Sequence, residues 1–206
     1  MLNFKNHISQ PLVDDKFGLH YFGGHADANG AVPVGSEIST HKLLLLDLSD
    51  PFLPFSSDSI RRLPLYYPLK YGGGGAVMQY SVVSENEIDI FYLSDGIPDE
   101  EDNWSVKVDA FPQTRFSVRN QGKENSNWFE ITVGNSDQRS GTPDVCQNRK
   151  CTRVNLEPNM DLVATVPPIP MKNENEIWWD FEEAYMVFCF WHCRHCGTIV
   201  ADNRAS

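Results

Sequence analysis

Four cysteines fall into two close pairs. Cys146 and Cys151 are separated by Gln147-Asn148-Arg149-Lys150, and Cys193 and Cys196 enclose Arg194-His195, with Gly197 next. Structural zinc takes four tetrahedral ligands, often as two such pairs brought together by the fold. A tight turn lets two thiolates face one ion, with the turn amides pointing at their sulfurs. Gly197 suits that turn, because glycine reaches a left-handed conformation at little cost. The spacing therefore predicts Cys146, Cys151, Cys193 and Cys196 as ligands of a structural Zn2+, with His192 or His195 as a substitute for one cysteine. A closed tetrathiolate has no open coordination position, so it holds the fold together and does not activate water.

Local charge supports the same reading. A zinc ion with four thiolates is net negative, and the chain already carries −11. Arg149, Lys150 and Arg153 flank the first pair, and Arg194 sits inside the second. Nearby cations lower thiol pKa values and favour the ligating form. Thiol–disulfide exchange at Cys193 and Cys196 is the competing chemistry, with Trp191 and His195 in support. That motif normally opens a helix after an early strand of a βαβ unit, and this chain is β-rich. Cys189, set between Phe188 and Phe190, reads as a buried, inert thiol.

The elements that must position these pairs are strands. The apolar run from Ala184 to Trp191 enters the second pair directly. Leu43-Leu44-Leu45-Leu46-Asp47-Leu48 reads as a strand buried on both faces. Residues 76–83 and 87–93 flank Ser84-Glu85-Asn86 as a hairpin. Trp104, Val106, Val108 and Ala110 alternate with polar residues, as in a half-buried strand. Phe116 with Val118, and Phe129 with Ile131 and Val133, mark two more. Asp161 to Val166 is a further candidate, while Ser56 to Arg62 reads as one short serine-capped helix. The expectation is a mainly β fold, a β-rich α+β arrangement of antiparallel sheets or a sandwich, ending in a zinc knuckle. Residues 1–206 read as a single domain, with a zinc-bound subregion over about 140–206.

At 206 residues, with 12 Phe, 7 Tyr and 5 Trp, the chain has material for a sizeable core. Its acidity opposes binding to nucleic acid or anionic membrane, since phosphate contacts need clustered Lys and Arg. No stretch reaches the ~20 apolar residues of a membrane span. Five cysteines without an apolar leader point to a reducing compartment, hence a cytoplasmic protein.

Other candidate sites are weaker. His20, His25 and Asp27 in a Gly-rich stretch, or the acidic run Asp99 to Asp102, are the groups a hydrolase would use. The glycines around His20 imply turns with positive φ. Gly72 to Gly75 lacks the Gly-Lys-Ser/Thr that a phosphate-cradling loop requires. Acidic residues 97–103 do not follow the spacing of a helix-flanked calcium loop.

Gly23-Gly24-His25, then Leu43 to Leu48, then Met78-Gln79-Tyr80 resembles a run in the YwqG-like bacterial domain of unknown function. The resemblance spans residues 18–95. It implies a β-rich α+β fold and an association with bacterial toxin–immunity loci, without an established activity. No nucleophile–base–orienter set is visible, so no catalytic residue is assigned. The leading expectation is a zinc-stabilised, non-enzymatic module that binds a protein partner of basic character.

Overall fold

The computed structural model describes residues 1–5, 8–25, 32–34, 40–67, 77–84, 87–94, 110–119, 130–134, 141, 143–152, 159–167 and 186–205. The first half forms β1 (Leu2–Phe4), β2 (Gln10–Asp14), β3 (His20–His25), β4 (Val32–Val34), β5 (His41–Asp47), β6 (Phe55–Ser57) and β7 (Arg62–Tyr67). The second adds β8 (Met78–Ser84), β9 (Glu87–Leu93), β10 (Ala110–Val118), β11 (Thr132–Val133), β12 (Met160–Val166), β13 (Met186–Cys193) and β14 (Ile199–Ala205). No helix occurs among the described residues, and so none is long and apolar enough to cross a membrane.

Twelve strands share one sheet in the order β4-β9-β8-β14-β13-β12-β11-β2-β10-β3-β5-β7, and β1 pairs with β6 beside it. Every pairing is antiparallel except that of β4 with β9. One strand joins the two halves of the sheet. Gln10 and Pro11 of β2 pair with β11, while Leu12 to Asp14 pair with β10. A strand that changes partner midway makes a corner, and corners let a sheet fold over on itself.

The curl brings the far edge back. Tyr80 on β8 donates its hydroxyl to the Pro64 carbonyl at 3.3 Å and accepts the Tyr66 amide at 3.0 Å. The Tyr67 ring lies 4.6 Å from that of Phe188. One core fills the space between, drawing Leu44 and Leu46 from β5, Leu63 and Leu65 from β7, and Val163 and Phe190 from β12 and β13. Each such side chain contributes roughly 1.5–3 kcal/mol when removed from water.

The mainly β expectation holds, and the helical share is absent among the described residues. Leu43 to Leu46 lie in β5 and are buried on both faces. The hairpin is β8 and β9, with irregular register that skips Val83 and Phe91. Ser56 to Arg62 is not a helix. Ser57 ends β6, and its hydroxyl accepts the amides of Ser59 and Ile60 at 3.2 and 3.4 Å. The serine thus caps a bend, because β1 and β5 pair with extended chain on either side of it. Gly23 has positive φ, 71°, but sits inside β3 where the pairing with β10 shifts register. Residues 101–109, where one strand was expected, lie outside the described residues, as do 71–76 and 97–100.

Candidate metal centre

The second cysteine pair is placed by a β-hairpin. Phe188 and Phe190 of β13 face the main core, while Val187, Cys189 and Trp191 face a smaller cluster with Leu162 and Val200. A strand covered on both faces reads as a continuous apolar run. The hairpin closes just after Cys193. The Gly197 amide donates to the Cys193 carbonyl, and the Cys193 amide to the Thr198 carbonyl, both at 2.9 Å. Gly197 takes φ of 78°, the left-handed turn that the motif required.

The first pair sits in a loop held from two sides. Gln79, fully buried on β8, donates from Nε2 to the Val145 carbonyl at 2.9 Å and accepts the Gln147 amide at 2.8 Å. It therefore grips the peptide units on both sides of Cys146. Asn148 shapes the turn between the cysteines. Its Oδ1 accepts the Lys150 amide at 2.9 Å, and its carbonyl accepts the Cys151 amide at 2.8 Å.

These elements bring all four sulfurs together. The Sγ atoms of Cys146, Cys151, Cys193 and Cys196 lie within 4.8 Å of one another. Cys146 is 3.6 Å from Cys196, and Cys151 is 3.9 Å from Cys193. Zinc–sulfur bonds of about 2.3 Å in a tetrahedron put sulfurs about 3.8 Å apart, so the cluster has the dimensions of a metal cage. Both of these contacts run between the pairs. Three cysteines are buried, and Cys196 is half-buried. A cavity of about 140 Å³ borders Cys196 and is walled by Leu2, Ser81, Val82, His192 and Ile199.

Electrostatics favour a thiolate at Cys193. The Cys146 thiol and the amides of His195 and Cys196 point at the Cys193 sulfur and hold its pKa well below the ordinary thiol value. Cys146, donating to that sulfur and buried, is pushed up. Thr198 accepts from Asn148 Nδ2 at 3.0 Å, which leaves its hydroxyl proton for Cys196 Sγ at 3.1 Å.

Some expected neighbours are placed differently. Arg194 does not serve the cluster. It binds Asp161 in a fork, Nε to Oδ2 at 2.8 Å and Nη2 to Oδ1 at 2.5 Å. A buried carboxylate is the stronger claimant for a guanidinium. Arg149 and Lys150 are exposed, and Arg153 lies outside the described residues. Neither histidine replaces a cysteine. His192 Nε2 accepts the Leu2 amide at 3.3 Å, and His195 Nε2 meets Asn159 Nδ2 at 2.9 Å. Cys189 is fully buried in the smaller cluster, away from the cage.

His20 is also buried. Its Nδ1 accepts the Asp47 amide at 3.2 Å and its Nε2 pairs with Asp50 Oδ2 at 3.0 Å. Both nitrogens are occupied, so His20 is a core histidine. The His25 side chain, Asp27 and residues 99–102 lie outside the described residues.

Sequence reasoning missed Gln79, Asn148, Thr198 and Asp161. The one available signal was a polar residue at a strand position flanked by core residues, as with Gln79 between Met78 and Tyr80. Comparison of the chain with protein-family models, curated proteins and solved structures gives no match.

Proposed function

We propose that the four cysteines hold one structural zinc ion, and that the protein is a zinc-stabilised, non-enzymatic module for binding a protein partner in the cytoplasm. The observation that carries the zinc reading is the set of four Sγ atoms within 4.8 Å of one another. Zinc supplies a closed tetrahedral knot between the loop before β12 and the β13–β14 hairpin. Four thiolates complete its coordination, so the ion does no chemistry on a substrate. The binding reading rests on the −11 charge, which steers basic protein surfaces, and on His20, which has no free ring nitrogen for proton abstraction. The proposal retains the likeness of residues 18–95 to the YwqG-like domain as an expectation.

Elemental analysis of the purified protein tests the site. One zinc per chain is expected, located between the four sulfurs by anomalous scattering. Cys193→Ser must abolish stoichiometric binding, and chelation must lower the melting temperature. Metal-free protein with an unchanged melt under chelator would refute the structural role. For the partner, association should weaken with salt; binding indifferent to salt would refute a basic partner.

A further inference from the structure

Lys42 on β5 has 1% of its surface exposed, and its Nζ makes no hydrogen bond among the described residues. The same is true of the hydroxyl of Thr40, 7% exposed and two residues earlier. Residues two apart on an extended chain project to one side, so the two orphaned groups share a face. Register places Tyr66 opposite Lys42, and the Tyr66 amide is already taken by Tyr80. Asp47, the acid on the same strand, is engaged by Ser49 and Arg61.

The charge that does act on Lys42 has the wrong sign. Burial, and then the Arg62 guanidinium, push its amine down to about 8. A buried ammonium without a bonded carboxylate is costly, and buried charges in folded proteins are ordinarily paired. A buried donor left unsatisfied calls for a missing partner.

We infer that Lys42 and Thr40 bind a small oxyanion, a carboxylate or phosphate group. Lys42 supplies the charge-assisted hydrogen bond and Thr40 a second, neutral one. The site is separate from the cysteine cage: it lies at the start of β5, whereas the cysteines lie on β13, on the turn that follows it and in the loop before β12.

The test is the thermal melt of the full-length, metal-loaded protein at constant pH and ionic strength, with chloride replaced by acetate or inorganic phosphate. An anion that binds only the folded state raises the midpoint as its concentration exceeds the dissociation constant. A rise of about 2–4 °C is expected in the wild type with at least one of the two anions. The larger response identifies carboxylate or phosphate as the preferred group. Lys42→Met should melt above the wild type in chloride, since it removes an unpaired buried charge, and should show no rise with either anion. Thr40→Val keeps the charge and should show a reduced rise. A wild type that does not respond to either anion overturns the proposal, and leaves Lys42 as a neutral core amine. So does a full-sized rise in Lys42→Met, or in Thr40→Val if Lys42→Met does not fold, because the effect is then general to the salt.

Discussion

Asn148 Nδ2 donates to Thr198 Oγ1 at 3.0 Å, tying the loop of the first cysteine pair to the chain that leaves the second. Thr198 passes the link on to Cys196 Sγ at 3.1 Å. Groups that orient ligands in this way typically cost 10–100-fold in metal affinity when removed. Thr198→Val and Asn148→Ala should each weaken zinc binding by about that factor, measured by competition with a chromogenic chelator, while leaving one zinc per chain at saturation. Unchanged affinity in both variants would make the link incidental.

Cys189 offers the matching control. It is fully buried beside Leu162, Val187, Trp191 and Val200, not in the cage. Cys189→Ser places a hydroxyl in an apolar cluster and should destabilise the fold by roughly 1–3 kcal/mol. Its zinc content should match the wild type. Loss of zinc in this variant would show that the assignment of ligands is wrong.

The buried pair His20 and Asp50 predicts a pH dependence. His20 Nδ1 accepts from the Asp47 amide, so the neutral ring carries its proton on Nε2 and donates to Asp50. Burial pushes the His20 pKa below its ordinary 6.5, against the pull of Asp50. The unfolded chain therefore takes up this proton first as pH falls. The contribution of His20 is whole above about pH 6.5 and shrinks below it, down to the folded-state value. Asp202 acts in the opposite direction: burial lifts its carboxyl to about 6, so it favours the folded state as pH falls through that value. The difference between the wild type and His20→Gln isolates the histidine. That gap, of roughly 1–3 kcal/mol at neutral pH, should narrow between about pH 7.5 and 5.5 in urea denaturation. A gap that is constant or widens across this range would refute the neutral assignment.

Two glycines should respond differently to alanine. At Gly134, φ is 100° and a Cβ would lie 2.5 Å from the Ile8 carbonyl oxygen and 2.7 Å from the Pro54 side chain. At Gly197, φ is 78° but the nearest atom, His192 Nε2, is 3.8 Å away. Gly197→Ala bears only the left-handed conformation, about 1–2 kcal/mol. Gly134→Ala adds a clash with backbone and should exceed that, to the point of preventing folding. Equal losses in denaturant midpoint would mean that space is not what Gly134 provides.

Much of the metal centre was legible because its local parts are local in sequence. The apolar run into Cys193, the spacing to Cys196 and Gly197 as the turn residue all concern adjacent positions, where chain geometry follows from side-chain type. Leu43 to Leu46 announced β5 for the same reason: a strand covered on both faces has no polar side to show. The Ser56 to Arg62 segment misled because serine caps bends as readily as helices, and only its pairing partners on β1 and β5 demanded extended chain.

By itself, then, the sequence determined a β-rich chain with two thiol pairs of metal-binding spacing. It did not determine which polar groups would serve them. The cage joins residues 42 and 50 positions apart, Cys151 with Cys193 and Cys146 with Cys196. Gln79 reaches Val145 and Gln147, and Asp161 captures Arg194, only because the strand order sets β8, β14, β13 and β12 side by side. Such contacts depend on the curl of the sheet. The sheet also turned His20 from a candidate base into a core histidine, by burying Asp50 and the Asp47 amide against its ring. Tertiary structure decided these roles because a buried polar group must take whichever partner the fold brings within reach.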